Sequence, residues 1–247
     1  YTVMAICMVI YLLSLWVNSD IQHESNTAVI LLGYYKTFVL AGDWWRIFTG
    51  GFVHVGFLHL FTNVYSLFLM GRALEGMYGK SKYALLLFGS ILCGNLFVFV
   101  LEGNIVAIGL SGGLYGLMAS TLIFAFNSGS ITDPAVRVDL SRPLMINLMI
   151  NFLPNVGVFA HLGGFVFGAL VSFLITNNIK WKEMQRNTMI ALGILGVALG
   201  YKVYDSAHLD TLYSGTDIKV IDYYRNMGLN HYADRLEKHI IEIYEVK

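Results

Sequence analysis

Ser111 and His161 are the residues of this chain best suited to hydrolytic chemistry. A serine hydroxyl becomes a competent nucleophile only beside a base that takes its proton. The serine lies in Gly109-Leu110-Ser111-Gly112-Gly113-Leu114-Tyr115-Gly116, and the histidine in His161-Leu162-Gly163-Gly164-Phe165-Val166-Phe167-Gly168. Each opens a long apolar stretch. Gly112 and Gly116 are four residues apart, as are Gly164 and Gly168. That spacing lines one helix face with small residues and lets two backbones approach closely in lipid. Packing the two faces together would set Ser111 beside His161. Taken alone, each feature also reads as plain packing, since small-xxx-small faces are common and a serine among glycines is often just small.

The elements that must position this pair are membrane helices. Hydrophobic residues make up 56% of the 247 and charged residues only 13%, far from a soluble average. The excess falls in blocks of about 17 to 25 residues, the length that crosses a bilayer as a helix. Seven are expected, at about 2–17, 57–76, 83–101, 106–126, 143–158, 161–177 and 188–204. The first lacks the basic flank and cleavage site of a signal peptide and reads as a true span. The chain is therefore expected to be an all-α polytopic membrane protein.

Lys and Arg set the orientation. With the N-terminus in the cytoplasm, the inner loops hold Arg72, Lys80, Lys82, Arg137, Arg142, Lys180, Lys182 and Arg186, and the outer loops before the tail hold Lys36, Arg46 and, at the last membrane edge, Lys202. Eight against three is the sense of the positive-inside rule. The even-numbered spans then all enter from the outer face. His59 and Asn63 fall in the first turns of span two, Ser111 in those of span four, and His161 at the start of span six. At 1.5 Å per residue all of them lie within about 10 Å of the outer surface. Polar groups inside spans are costly and are functional by default.

Several function classes drop out. The net charge is zero and no basic stripe is present, so nucleic acid is not an expected partner. Cys7 and Cys93 sit inside apolar spans and read as packing residues. His54 and His59, five apart, fall on different helical faces, with no HExxH motif to complete a zinc site. The spans contain no paired aspartates for an aspartyl protease, and little of the buried charge a transporter uses as an ion path. Neither a metal nor a cofactor is expected.

From about residue 42 to 168 the chain resembles the rhomboid family of intramembrane serine proteases. The matching features are Trp45-Arg46, His54…His59-xxx-Asn63, Gly71-Arg72-xx-Glu75, the Gly-Leu-Ser-Gly around Ser111, and His161-x-Gly-Gly-xxx-Gly. Each motif alone is weak; five in order at membrane-compatible spacing are specific. The resemblance implies a six-helix core, here with a seventh transmembrane helix. It makes Ser111 the nucleophile, with His161 as general base and then general acid. It places Tyr115 in a stack on His161. His59, Asn63 and the Ser111 amide become donors to the oxyanion, with the Leu110 amide as a further candidate. His54 would help hold the site, while Trp45, Arg46, Arg72, Glu75 and the four glycines are structural. No acidic third member lies at the right depth, so the pair reads as a dyad. The stretch 18–56, with Trp44 and Trp45, is expected to form a lateral, partly embedded structure. Span five, interrupted by Asn147, Asn151 and Pro154, would gate the site together with the loop 154–160.

Substrates implied by the resemblance are transmembrane proteins, cut near the outer membrane face. The alternative is a catalytically inactive relative that binds membrane clients. Two regions are expected: 1–204, the transmembrane protease domain, and 205–247, a short amphipathic tail on the extracytoplasmic side. In the tail, 217–227 and 230–245 read as helices broken at Gly228, with Tyr232, Leu236, Ile240 and Ile243 on one face. Such a pair cannot bury its own core, so it would dock on the protease, recruit an extracytoplasmic partner or form the edge of something larger. The expected location is the plasma membrane, with the chain spanning the lipid bilayer.

Overall fold

The computed structural model describes residues 1–17, 27–102, 105–151, 156–176, 182–206 and 215–245. Helices form in all seven apolar regions: α1 (Thr2–Val17), α5 (Phe57–Tyr78), α6 (Lys80–Leu101), α7 (Ser111–Asn127), α8 (Pro134–Ile150), α9 (Val158–Ile175) and α10 (Lys182–Ser206). Three short helices, α2 (Thr27–Leu32), α3 (Lys36–Leu40) and α4 (Arg46–Thr49), lie within residues 27–56, while 18–26 of the expected lateral structure lie outside the described residues. The tail forms α11 (Gly215–Asn226) and α12 (Asn230–Glu245). Among the described residues, α6 and α9 are by themselves long and apolar enough to cross a membrane, and Arg46–Phe52 joins α5 through a 94° bend.

The fourth and fifth spans differ from expectation, each for a local reason, and α10 begins six residues before the expected 188. The fourth starts at Ser111 rather than 106, because Val106–Ala107 is a strand (β2) paired antiparallel with Tyr34–Tyr35 (β1). Gly109 ends this link with φ +109°, and its N–H donates to the Gly50 carbonyl at 3.0 Å. The fifth runs 134–150 instead of 143–158. Asp133 caps it, accepting the Ala135 N–H on Oδ1 at 2.8 Å, and Pro134 sits at the first helical position, where its missing N–H costs nothing. The helix then continues through Pro143, which the sequence reading had taken as its start. Pro154 lies outside the described residues.

The chain divides into two compact units. One comprises Tyr1–Tyr65, Val98–Leu110 and Tyr201–Lys247. Its core joins Ala28, Val29, Ile30, Phe38 and Val53 to Val220, Ile221 and Tyr224 of α11 and Leu236 and Ile240 of α12. The tail thus buries its apolar stripe on α2 and α3. Gly228, at φ +77°, makes the turn between α11 and α12, with the Leu229 N–H returning to the Tyr224 carbonyl. A left-handed residue just past a helix end is the usual place for glycine. The Ile243 side chain lies outside the described residues.

Arg46 sits at the centre of this unit and is fully buried. Its Nε donates to Asp43 at 3.0 Å, one Nη to the Ile30 and Gly33 carbonyls at 2.9 and 3.0 Å, and the other to the Tyr224 hydroxyl at 2.9 Å. The guanidinium also faces the Phe38 ring, 5.2 Å from its centroid. Asp43, equally buried, accepts from the Tyr232 hydroxyl and from Arg235 as well. Buried charge is tolerable when it is paired and hydrogen-bonded, and the fork of a guanidinium here serves four acceptors where an ammonium, with three donors, cannot. Trp45 beside it is half exposed, and the exposed Trp44 ring packs near Phe99.

The other unit comprises Ser66–Phe97 and Ser111–Gly200. Here α7 and α9 meet through their glycine faces. A β carbon on Gly164 would land on the Gly112 carbonyl, and one on Gly168 on the Gly116 carbonyl. On α6, Gly89 makes room for the Phe167 ring, and Gly94 lies against the Ala160 carbonyl.

Removing the guanidinium takes from the buried Asp43 its one buried counter-charge, leaving it the Tyr232 hydroxyl and the part-exposed Arg235, at a cost of about 3 kcal/mol. Arg46→Ala should therefore lower the thermal unfolding midpoint in detergent and open the α11–α12 turn to limited proteolysis. Arg46→Lys should recover little of the loss. A tail equally protected in wild type and Arg46→Ala would contradict this account of the hub.

Candidate active site

Ser111 is the first residue of α7, where unpaired helix N–H groups and the helix dipole favour negative charge. His161 sits one turn into α9, its N–H bonded to the Gly157 carbonyl at 3.1 Å. The imidazole is buried while Ser111 is half-buried. His161 Nε2 lies 2.8 Å from Ser111 Oγ, the reach required of a nucleophile and its base. The glycine contacts between α7 and α9 bring the two helix starts that close. Bulkier faces would hold the axes at an ordinary 8–10 Å.

Tyr115, one turn below Ser111 on α7, lies flat against the imidazole. The ring centroids are 4.1 Å apart and the planes 6° apart. Asn151, just past the end of α8, reaches both rings. Its Nδ2 donates to the Tyr115 hydroxyl at 2.9 Å, and its Oδ1 stands 2.5 Å from His161 Nδ1. The sequence reading took Asn151 only as an interruption of span five. The missed signal was its position, a polar residue immediately after a helix end and ten residues before His161.

In the unit that holds them, His54, His59 and Leu110 form a second group. The His54 and His59 rings meet edge to face with centroids 4.9 Å apart. The Leu110 N–H is 3.4 Å from His54 Nε2, which makes the His54 ring a weak acceptor for that amide. Gly109 packs so tightly on His59 that a β carbon there would stand 2.7 Å from Nε2. Asn63 is buried on α5. Its Nδ2 donates to the His59 carbonyl at 2.8 Å, while Oδ1 is buried with no hydrogen-bond partner among the described residues. An amide nitrogen carries two donors, so one N–H of Asn63 is left over. Arg72 is exposed and Glu75 half-buried on α5. Among the described residues no group of three or more His, Cys, Asp or Glu side chains could hold a metal ion.

Comparison with known proteins is consistent across the same stretch. The family model of the rhomboid domain matches residues 41–178, more than half of the chain. Putative rhomboid protease YdcA of Bacillus subtilis is 34% identical over 142 residues, covering 57% of this chain and 71% of that protein. RHOMBOID-like protein 2 of Arabidopsis thaliana is 31% identical over 148 residues, covering 58% of this chain and 47% of the relative. Rhomboid protease GluP of Bacillus subtilis is 24% identical over 182 residues, covering 73% of this chain and 36% of its own length. The chain thus spans about half or less of the latter two.

The glycine contact makes a graded prediction. Gly164→Ala and Gly168→Ala each drive a methyl into a backbone carbonyl that no rotamer change can move. Overpacking of this kind costs about 1–3 kcal/mol. Gly196→Ala, on α10 with open space around it, should be neutral or slightly stabilising. Thermal unfolding of the three variants in detergent tests the order, and equal midpoints would contradict it.

Proposed function

The chain belongs to the rhomboid family, an all-helical, multi-pass integral membrane fold, and from that premise we propose that it is an intramembrane serine endopeptidase. The observation that carries the reading is the 2.8 Å approach of His161 Nε2 to Ser111 Oγ, at the start of two apolar helices. Water is scarce there, and an unactivated hydroxyl would do nothing.

In the proposed reaction, Ser111 Oγ attacks the carbonyl carbon of a peptide bond in a transmembrane segment, and His161 Nε2 takes its proton. A tetrahedral oxyanion forms. The Ser111 amide, at the helix start, supports it, and by resemblance His59 and Asn63 serve as further donors. His161 then protonates the leaving amine, whose bond to carbon breaks and leaves an acyl-enzyme. A water molecule, deprotonated by the same imidazole, releases the acyl group. Each lost oxyanion donor typically costs about 10²–10³ in rate, so Asn63→Ala should slow turnover by about that factor. Tyr115, flat on the imidazole, limits the ring to rotation within its own plane.

Membership of the family supports substrates that lie in the membrane. We propose that cleavage occurs near the outer face, with the N-terminus cytoplasmic and the tail outside, in the plasma membrane. Substrate segments would be helices that unwind readily, since a peptide bond paired within a helix is closed to attack.

An activated serine can be read without knowing the substrate. The detergent-purified chain, treated with a fluorophosphonate and digested, should carry one adduct at Ser111 by mass spectrometry. Ser111→Ala and His161→Ala should carry none. A folded wild-type chain without the adduct would move the assignment to an inactive relative that binds membrane clients.

A further inference from the structure

The carboxamide of Asn151 is placed where the base of this site needs a third group. We propose that Asn151 is a positioning residue which holds His161 in the tautomer and plane that let Nε2 accept the Ser111 proton. The proposal rests on the hydrolytic reading above and adds a residue to it.

A neutral imidazole carries one N–H. For Nε2 to receive the hydroxyl hydrogen of Ser111 its lone pair must face Oγ, so the ring proton must be on Nδ1. A buried N–H without an acceptor is costly. That penalty would favour the other tautomer, in which Nε2–H points at Ser111 and no base exists. Asn151 Oδ1, 2.5 Å from Nδ1, supplies the acceptor. As Nε2 takes the proton and the ring becomes imidazolium, Nδ1–H stays a donor to the same carbonyl oxygen, whose dipole then faces a positive charge.

The other end of the amide fixes its orientation. Nδ2 donates to the Tyr115 hydroxyl at 2.9 Å, so the phenol oxygen acts as acceptor and Oδ1 is turned to the imidazole. One side chain thus bonds to both members of the stack formed by Tyr115 and His161. Stacking alone leaves the imidazole free to turn within its plane, and the bond to Asn151 removes that freedom. Among the described residues, Ser111 and Tyr115 of α7 also meet this ring. The Cys93 backbone carbonyl of α6 lies against Gly163 of α9. Among the described residues, no carboxylate is shown bonded to His161. An amide in this place does what the asparagine of a Cys-His-Asn hydrolase does, orienting without adding charge.

The test uses the full chain in detergent and the rate at which a fluorophosphonate labels Ser111. In that reaction Oγ displaces fluoride from phosphorus and its proton passes to His161. Wild type, Asn151→Ala and Asn151→Asp are compared across about pH 5 to 9, a range that brackets the histidine reference value. Asn151→Ala should label about tenfold more slowly or worse, a part of the 10²–10⁴ that a positioned base contributes. Asn151→Asp should recover much of that loss, with its pH midpoint moved upward, because a carboxylate beside the ring favours imidazolium. A merely structural residue would not move that midpoint. Asn151→Ala labelling at the wild-type rate with an unchanged midpoint would overturn the proposal.

A second measurement does not depend on activity. Imidazole nitrogen shifts of ¹⁵N-histidine protein, with His161 assigned by loss of its signals in His161→Gln, should report the Nδ1–H tautomer in wild type and a mixture in Asn151→Ala. A wild-type chain that never labels would count against the hydrolytic reading, while the nitrogen shifts still decide the place of Asn151. Identical shifts in wild type and Asn151→Ala would overturn it.

Discussion

Backbone contact between α7 and α9 is the constraint on which the site depends. In lipid the hydrophobic effect gives helices no reason to associate, so dispersion between closely packed surfaces must do it. Gly112, Gly116, Gly164 and Gly168 let carbonyls of one helix occupy space where the other would carry side chains. The same approach brings the first residue of α7 and the first turn of α9 within hydrogen-bond reach. Stability and site geometry therefore share one set of residues. Ser111, Tyr115 and His161 inherit their positions from this contact, and Asn151 enters from the end of α8 to close the network.

A different logic governs the unit built around Arg46. Short helices cannot satisfy their own end carbonyls, and α2 leaves those of Ile30 and Gly33 to a single guanidinium. Two charges are buried in the process, and the cost is offset by four guanidinium hydrogen bonds and by the aromatic faces of Tyr35 and Phe38. Tyr224, Tyr232 and Arg235 of the tail enter the same network. The tail is thus a covering layer for α2 and α3, with its apolar stripe facing inward.

What could be read from the residues followed physical range. The glycine spacing and the apolar block lengths are local signals, and they led to Ser111, His161 and the long helices; the amphipathic stripe led to the two tail helices broken at Gly228. The start of α8 was also locally encoded, by Asp133 and Pro134, but Arg137, Asp139 and Arg142 kept its first turns outside the apolar block. Asn151 was visible as a polar interruption. Its bond to His161 depends on where α8 ends, which depends in turn on that start. Arg46 read as structural, yet its partner Tyr224 is 178 residues away, and no periodicity in the tail distinguishes that hydroxyl from its neighbours. The pairing of Val106–Ala107 with Tyr34–Tyr35 was lost for the same reason, since a two-residue strand leaves no alternation to detect.

The central claim is that the Ser111–His161 pair cuts peptide bonds inside a bilayer. Its most direct test is to reconstitute the full chain in liposomes with a mixture of synthetic transmembrane peptides and to analyse the products by mass spectrometry. The account predicts peptides hydrolysed within the helix, toward the outer face, with water added at the cut and no products from Ser111→Ala. Peptides that remain intact while binding equally to wild type and Ser111→Ala would contradict it.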